Sequence, residues 1–320
     1  MTRLTRRSFA SLLALAALPA AAQSDFHNKP IRVIVPFAAG SGADGAARVV
    51  AEQMQRLLGQ SIVVENRPGG SGAVAVQAVK QAPADGYTIL VGTNSPMSVN
   101  PVVMKNPGYD STKDFKPVNG ILRSMNVWYV APDSPIRSVT DLVTAARSGK
   151  PVSVGSYSAG YQLGIEWVAV LGNVKFAYVN YKGQSQVITD VLGRTLDAGM
   201  GDMSRALPLI QSSKLRAIAV SGATRHPGLP NVPTIREVWP EYENYAWTSF
   251  FVRAEVPADA HAKLVSTMQA ALRSPEMKRY YEVNGSDPMV DFGPDRMAEH
   301  LRQEIARFRK VAEAAGVKPE

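Results

Sequence analysis

The stretch that decides the fold is residues 31–66, IRVIVPFAAGSGADGAARVVAEQMQRLLGQSIVVEN. A short apolar strand leads into a glycine-rich turn, a helix with one apolar face, and a second apolar strand. Gly59 ends the helix pattern, and a further helix over 72–81 leads to a third strand at 87–92. This β-α-β-α-β order predicts a parallel sheet with helices packed against it.

The glycine-rich turn has the spacing of a dinucleotide-binding loop. Gly40, Gly42 and Gly45 are spaced as G-x-G-x-x-G, and Glu65 follows after about 20 positions. Four residues separate the strand from the first glycine, however, and Asp44 brings a carboxylate to the predicted helix start at 43. A carboxylate there suits the helix dipole as a cap but crowds the place of a pyrophosphate. A small anion held by backbone N–H groups is favoured, with an exported dinucleotide-dependent oxidoreductase as the alternative.

The first 22 residues have the features of an export signal. Arg3, Arg6 and Arg7 precede a short apolar run at 12–18, and alanines at 20–22 offer a cleavage site. The sequence TRRSF at 5–9 also fits the twin-arginine pattern, although a general secretory signal remains open. The apolar run is too short to span a bilayer. We therefore expect a mature, soluble protein of about 300 residues in the periplasm.

Composition excludes several kinds of site. The 320-residue chain has no cysteine, so disulfides, thiolate metal sites and a lipid-anchoring thiol are excluded. Its four histidines have no i,i+4 spacing, so no metal site is expected. The net charge is +8, and without residues 1–22 the balance is 32 basic against 27 acidic residues. That balance suits anionic ligands, whereas the scattered Lys and Arg do not indicate nucleic-acid binding.

A second α/β unit follows the first, and the C-terminal part is helical. Strands are predicted at 126–131, 152–155, 176–179, 198–200 and 215–220. Helices are predicted at 142–147, 162–171, 185–192 and 204–212, and then at 258–272, from Pro275 to before Gly285, and at 294–315.

The segment 155–160 repeats the arrangement of the first glycine-rich turn. It follows a strand, contains small residues, and precedes a helix; Ser156 and Ser158 add hydroxyl donors. Thr93, Asn94 and Ser95 follow the third strand, so they fall at the corresponding rim of the first unit. Since ligands bind beyond the carboxyl ends of parallel strands, we expect the two loops to face each other across a cleft.

The same segment is a near miss for a hydrolase nucleophile elbow. It reads SYSAG where the motif requires G-x-S-x-G. Asp197 or Asp202, followed by His226 or His261, has the chain order of such a triad, but a chain of this length offers many such combinations. A serine hydrolase is the weaker alternative, and no catalytic residue is assigned.

Short motifs over nearly the whole mature chain carry a family resemblance. They are KPIR (29–32), PFAAGSGAD (36–44), VENRPG (64–69), ADGYT (84–88), GT (92–93), NP (100–101), KDF (113–115), YKG (181–183), Asp202, KLRA (214–217), PNVPT (230–234) and AAGV (314–317). With these motifs in this order, the chain resembles the solute receptors of tripartite tricarboxylate transporters, often called Bug proteins.

The resemblance implies an α/β, type II periplasmic binding protein fold with a ligand cleft between two lobes. Residues 23–122 and 247–320 would form lobe 1, and residues 123–246 lobe 2. The protein would be a monomeric receptor without catalytic activity, cofactor or metal. It would bind a small mono- or dicarboxylate and pass it to membrane permease subunits.

The two loops and the resemblance together predict the ligand-binding residues. These are Phe37, Ala38, Gly42, Ala43, Asp44, Thr93 and Asn94 in lobe 1, and Ser156, Ser158, Gly160, Tyr161 and Asp202 in lobe 2. One departure is evident, because the family's second loop usually reads like G-S-x-G-x-G-[ST]-x-x-H. Here Tyr161 follows Gly160, and Gln162 stands where the histidine would align. Tyr157 and Tyr161 would suit a pocket for an aromatic acid.

Overall fold

The structure, a computed structural model, describes residues 29–319, so the predicted export signal lies outside the described residues. The strands are β1 (Ile31–Val35), β2 (Ile62–Asn66), β3 (Thr88–Thr93), β4 (Phe115–Val130), β5 (Ser153–Ser156), β6 (Ala177–Asn180), β7 (Ala198–Asp202), β8 (Arg216–Val220), β9 (Tyr245–Arg253) and β10 (Asp287–Pro288). The helices are α1 (Gly42–Leu58), α2 (Ala73–Lys80), α3 (Asn100–Val103), α4 (Val139–Arg147), α5 (Ala159–Gly172), α6 (Gln184–Leu192), α7 (Met203–Gln211), α8 (Ala258–Leu272), α9 (Pro275–Asn284) and α10 (Pro294–Ala314). A π-helical segment, Ser95–Val99, follows β3.

The sheet runs through both halves of the molecule in the order β2-β1-β3-β9-β4-β7-β5-β6, with β8 and β10 paired to β4. Strands β1, β2 and β3 are parallel, which confirms the prediction from residues 31–92. Strands β5, β6 and β7 form a second parallel group. The antiparallel strands β4 and β9 lie between these two groups and join them.

Strand β4 carries the chain from one lobe to the other. Up to Met125 it pairs with β9, and from Asn126 onward it pairs with β7 and β8. The chain returns at Asn244, whose N–H donates to the Ser221 carbonyl, and Tyr245 then pairs with Met125. The two crossings therefore lie side by side.

The length of β4 corrects the prediction of a strand at 126–131. Pro117, Asn119 and Gly120 interrupt the apolar pattern of residues 115–125, and these residues do not favour strands. The structure accommodates them at register shifts between Pro117 and Asn119 and between Gly120 and Leu122. Pairing along the whole of β9 holds this part of the strand in place despite its weak local preference.

Each lobe has its own apolar core. In lobe 1 the buried face of α1, including Ala46, Val50 and Met54, packs against the sheet and α8. Ser41 caps the start of α1, and Gly59 ends it in the left-handed conformation at φ 66°. In lobe 2 a second core forms around Trp128 and Tyr242. A smaller apolar cluster joins Val99 and Phe308 of lobe 1 to Ala159 and Leu163 of lobe 2.

A half-buried histidine makes lobe 1 sensitive to acid. The ring of His300 contacts Trp247 edge to face at 5.7 Å and Phe292 at 5.6 Å. Burial, followed by the charges of Arg307, Arg123 and Arg296, lowers the pKa of His300 to about 4 from its ordinary 6.5. The folded protein therefore keeps this ring neutral at a pH where the unfolded chain protonates it. Its contribution to stability is complete above pH 6.5 and is lost as the pH falls toward 4.

The His300→Phe variant is expected to lose less stability than the wild type between pH 6.5 and pH 4. Phenylalanine keeps the ring contacts and cannot be protonated, and the Nε2 of His300 has no hydrogen-bond partner to lose. Urea unfolding at several pH values measures this difference. The same loss of unfolding free energy in both proteins would contradict it.

Candidate functional site

A cavity lies between the two lobes, and its empty space, including the part open to solvent, is about 550 Å³. Its walls come from the loop after β1, the end of β3, the loop after β5, and the end of β7. The antiparallel strands β4 and β9 and the helix α9 also contribute. The expectation that the two loops face each other across one cleft is thus confirmed.

The loop after β1 is shaped by its own backbone. Gly40 has a φ of 79°, a conformation that residues with a Cβ rarely adopt. Ser41 is the N-cap, since its hydroxyl accepts the N–H of Asp44 at 3.3 Å. Ser41 is therefore the capping residue, a role that was predicted for Asp44. The helix begins at Gly42, one residue earlier than predicted.

Asp44 stabilises this loop through hydrogen bonds and is not among the residues that line the cavity. Its carboxylate, 3% exposed, accepts the Gly40 N–H at 2.8 Å, the Asn66 amide at 2.8 Å, and the Arg48 guanidinium at 3.0 Å. Burial raises the pKa of Asp44, but Arg48 and the Gly40 and Asn66 hydrogen bonds together outweigh it, so the pKa is lowered. The charged carboxylate is therefore a fixed part of the loop.

Glu65, the acid of the dinucleotide pattern, is also occupied elsewhere. It forms ion pairs with Arg32 at 2.7 Å and with Arg67 at 2.6 Å. These contacts remove the group that would bind a ribose hydroxyl in a dinucleotide site.

The loop after β5 contacts lobe 1 directly. Helix α5 begins at Ala159, three residues before the predicted start at 162. The N–H of Ala159 donates to the Ser71 hydroxyl at 3.2 Å, and that of Gly160 donates to the Ser95 hydroxyl at 3.0 Å. These amide groups, expected to face a ligand, therefore join the two lobes beside the cavity.

Asp202 reaches across the cleft from lobe 2. It occupies the N-cap position of α7, but its side chain makes no capping bond. The carboxylate instead accepts the hydroxyls of Tyr157 and Tyr161 in short hydrogen bonds and the Gly42 N–H at 3.4 Å. Burial and the charge of Asp202 raise the pKa of both tyrosines, so both remain protonated donors. A carboxylate of the protein thus lies beside the first backbone N–H group of α1.

Aromatic rings form one side of the cavity. Tyr157 packs edge to face on Phe37, with ring centroids 5.9 Å apart, and lies 5.0 Å from the ring of Tyr161. Both tyrosines line the cavity, as expected from their place in the loop.

The predicted residues divide into three groups. Those on the cavity wall are Phe37, Gly42, Ala43, Thr93, Asn94, Ser158, Tyr161 and Asp202. Ala38 lines an adjoining recess together with Lys182 and Arg205. Asp44, Ser156 and Gly160 lie behind the wall; Ser156 shares a hydrogen bond with Tyr178 at 3.0 Å.

Several residues of the cavity wall were not predicted from the sequence. They lie on or near the crossing strands and α9, or next to predicted residues: Ser41, Leu122, Ser124, Ser204, Ala246, Trp247, Thr248, Tyr280, Asn284 and Ser286. The one available signal was the pair of expected lobe boundaries at 122/123 and 246/247, because residues at a hinge line the cleft that it closes.

The cavity wall carries polar atoms without partners. Thr93 Oγ1, Asn94 Nδ2 and Ser286 Oγ are buried and make no hydrogen bond with the described residues. Buried polar atoms are nearly always bonded, so such atoms on a cavity wall are suited to a ligand or water.

The residues needed for a serine hydrolase do not come together. His226 shares a hydrogen bond with the Gly285 carbonyl at 3.1 Å, and His261 with the Pro117 carbonyl at 2.8 Å. Neither histidine is bonded to Ser158. Within residues 29–319, no three His, Asp or Glu side chains are grouped as metal ligands would be.

A comparison with family models decides the family. Residues 46–317 match the model described as the tripartite tricarboxylate transporter family receptor. The chain belongs to this family. The Bug resemblance is thereby confirmed, and with it the solute-receptor class. No helix within the described residues has both the length and the apolar character that crossing a membrane requires.

Two relatives of this receptor match it over almost their full length. A UPF0065 protein of Bordetella bronchiseptica is 30% identical, covering 96% of this chain and 92% of the relative. The protein BugT of Bordetella pertussis is 28% identical, with coverages of 96% and 95%.

Solved structures confirm the periplasmic binding protein fold. BugD superposes with a TM-score of 0.85 at 27% identity, covering 92% of this chain and 99% of that one. Rpa4515 of R. palustris, solved with adipate, gives 0.86 at 32% identity, with coverages of 92% and 99%. MatC of Rhodopseudomonas palustris, solved with bound malate, gives 0.83 at 25% identity, with coverages of 89% and 99%.

Proposed function

We propose that this receptor is exported to the periplasm, binds a small mono- or dicarboxylate between its lobes, and delivers it to the permease subunits of a tripartite transporter. The observation that carries the proposal is the interlobe cavity with unpartnered polar atoms on its wall. The adipate and malate found in two related structures support a carboxylate as the ligand.

In this proposal the ligand's carboxylate binds at the end of β3. Asn94 Nδ2 and Thr93 Oγ1 offer hydrogen-bond donors there, and the hydroxyl of Ser158 adds another polar group on the opposite lobe. Charge-assisted hydrogen bonds from such donors are stronger than those to neutral acceptors. Phe37, Gly42, Ala43, Tyr161 and Asp202 shape the remainder of the site.

Binding is coupled to a hinge movement. The lobes are joined where β4 and β9 cross, and contacts such as the Gly160 N–H to Ser95 bond exist only when the lobes meet. A ligand held by both lobes favours the closed form by the difference in its affinity for the two forms. The permease would then recognise the closed receptor.

The dinucleotide-dependent oxidoreductase is less well supported. A pyrophosphate at the start of α1 would meet the Asp202 carboxylate near Gly42, and Glu65 is held by Arg32 and Arg67. Since like charges repel strongly at a partly buried site, a bound pyrophosphate is disfavoured there.

Isothermal titration calorimetry of residues 23–320 tests the proposal. The ligands are aliphatic and aromatic mono- and dicarboxylates, and each active acid is compared with its uncharged amide. We expect saturable heat with at least one acid and none with its amide. The absence of heat with every acid would count against a carboxylate receptor.

A further inference from the structure

The cavity wall has an unusual charge for a protein that binds acids. Asp202 is the only formally charged side chain among the described residues that line the cavity. None of the ion pairs in the described part of the chain involves it. Asp202 also lines the adjoining recess with Lys182 and Arg205 but forms an ion pair with neither, and Arg205 donates to the Gly40 carbonyl and to Ser185. The cavity therefore carries a buried negative charge without an ion-pair partner.

The hydrogen bonds of Asp202 do not remove this charge. Tyr157, Tyr161 and the Gly42 N–H donate to the carboxylate, and all three donors are neutral. An ionised carboxylate has about four lone-pair positions, so at least one remains for a further donor. Asp202 is 8% exposed, so water screens its charge poorly.

At the end of β3 the cavity wall requires a hydrogen-bond acceptor, whereas Asp202 requires a donor. Asn94 and Thr93 are each 5% exposed, and Asn94 Nδ2 and Thr93 Oγ1 have no hydrogen-bond partner. An amide NH₂ group can only donate, so it requires an acceptor such as a carboxylate oxygen. One wall of the cavity thus needs an acceptor, and Asp202 on another wall needs a donor or a cation.

We infer that the ligand is a carboxylate that also carries a cationic nitrogen, with its carboxylate at Asn94 and Thr93 and its nitrogen at Asp202. This inference rests on the proposed function and names the class of acid. A second carboxylate beside Asp202 would place two negative charges together in a poorly solvated site, whereas a cation balances the charge. The rings of Phe37 and Tyr157, on the same side of the cavity, also suit a cation.

Two sets of matched ligands test this inference by calorimetry at pH 7. The first set is 6-aminohexanoate, adipate and hexanoate, which have the same chain length and differ in one end group. The second set is 4-(aminomethyl)benzoate, terephthalate and 4-methylbenzoate. In at least one set we expect the zwitterion to bind about tenfold or more tightly than both of its analogues.

The Asp202→Asn variant is expected to lose this preference, so that the zwitterion and the monocarboxylate bind within about threefold of each other. Asp133→Asn is the matched control, because it removes an exposed carboxylate of lobe 2 that pairs with Arg194 away from the cavity. It should bind as the wild type does. Should Asp202→Asn fail to fold, the ranking of the ligands by the wild type still decides.

The outcomes separate this inference from the proposed function. If a dicarboxylate or an uncharged-end analogue binds most tightly in both sets, or if Asp202→Asn keeps the preference for the zwitterion, the inference is overturned while the carboxylate receptor stands. If none of the six compounds binds, the inference is overturned, and the broader panel of acids then decides the proposed function.

Discussion

An Asp44→Ala variant is expected to lose about 3 kcal/mol of unfolding free energy, since removing one partner of a buried charge network has an effect of this size. The Gly40 N–H and the Asn66 amide would each lose an acceptor inside the loop. The contribution from Arg48 is smaller, because its side chain is 48% exposed and water replaces the lost contact. Urea unfolding followed by circular dichroism measures the change.

Arg48→Ala is the control for Asp44→Ala. It removes the ion pair but leaves the carboxylate bonded to Gly40 and Asn66, so we expect a loss below about 1 kcal/mol. Equal losses in the two variants would show that the loop does not depend on these hydrogen bonds. Asp44→Ala should also weaken ligand binding, because Phe37, Ser41 and Gly42 belong to the same loop.

The effect of Asp44→Ala should depend on pH. The pKa of this carboxyl is lowered from its ordinary 3.8, so the folded state favours the charged form. Its contribution is complete above pH 3.8 and is lost as the pH falls through the lower pKa of the folded state. The difference in stability between wild type and variant should therefore narrow below pH 3.8.

A Gly160→Val variant is expected to bind the ligand about 100-fold more weakly while each lobe remains folded, because a two-state closure shifted by a few kcal/mol reduces the apparent affinity in proportion. A Cβ at this position would lie 2.8 Å from Ser95 Oγ and 2.9 Å from Asn94 Nδ2, both on lobe 1. The added side chain would therefore separate α5 from the end of β3 and keep the lobes apart. Calorimetry with the best ligand of the wild type measures the affinity.

Gly183→Ala is the matched control for Gly160→Val. Gly183 also lies at the start of a helix of lobe 2, at the N-cap of α6, but a Cβ there would meet no atom within 4 Å. It should bind the ligand as the wild type does. Unchanged affinity in Gly160→Val would mean that the contact between Gly160 and Ser95 is not required for binding.

The local elements of lobe 1 could be read from the sequence because short-range signals specify them. The stripe of Ala46, Val50 and Met54 and the stop at Gly59 are local features, and α1 formed within one residue of its predicted start. Helix α8 was predicted at its observed bounds for the same reason. The two loops at the carboxyl ends of parallel strands predicted the cleft, and the family motifs helped to identify several of its wall residues, since a motif reports the outcome of long-range packing in related chains.

The roles of the two aspartates could not be read in this way. Asp44 and Asp202 both lie at the start of a helix, and both were predicted to bind the ligand. Folding brings Asn66 to Asp44, which then stabilises the loop after β1. Folding also brings Tyr157 and Tyr161 to Asp202, which faces the cavity. Each role depends on partners that are distant in the sequence, and no local pattern shows them.

Helix and strand signals act over a few residues, so the chain's own pattern specifies α1, α8 and the parallel order of β1, β2 and β3. The path of β4 through Pro117 and Gly120, and the bonds of the α5 amides to Ser71 and Ser95, arise from packing between distant segments. Their free energy comes from burying surface and pairing polar groups across the whole fold, and it outweighs the weak preferences of the residues involved.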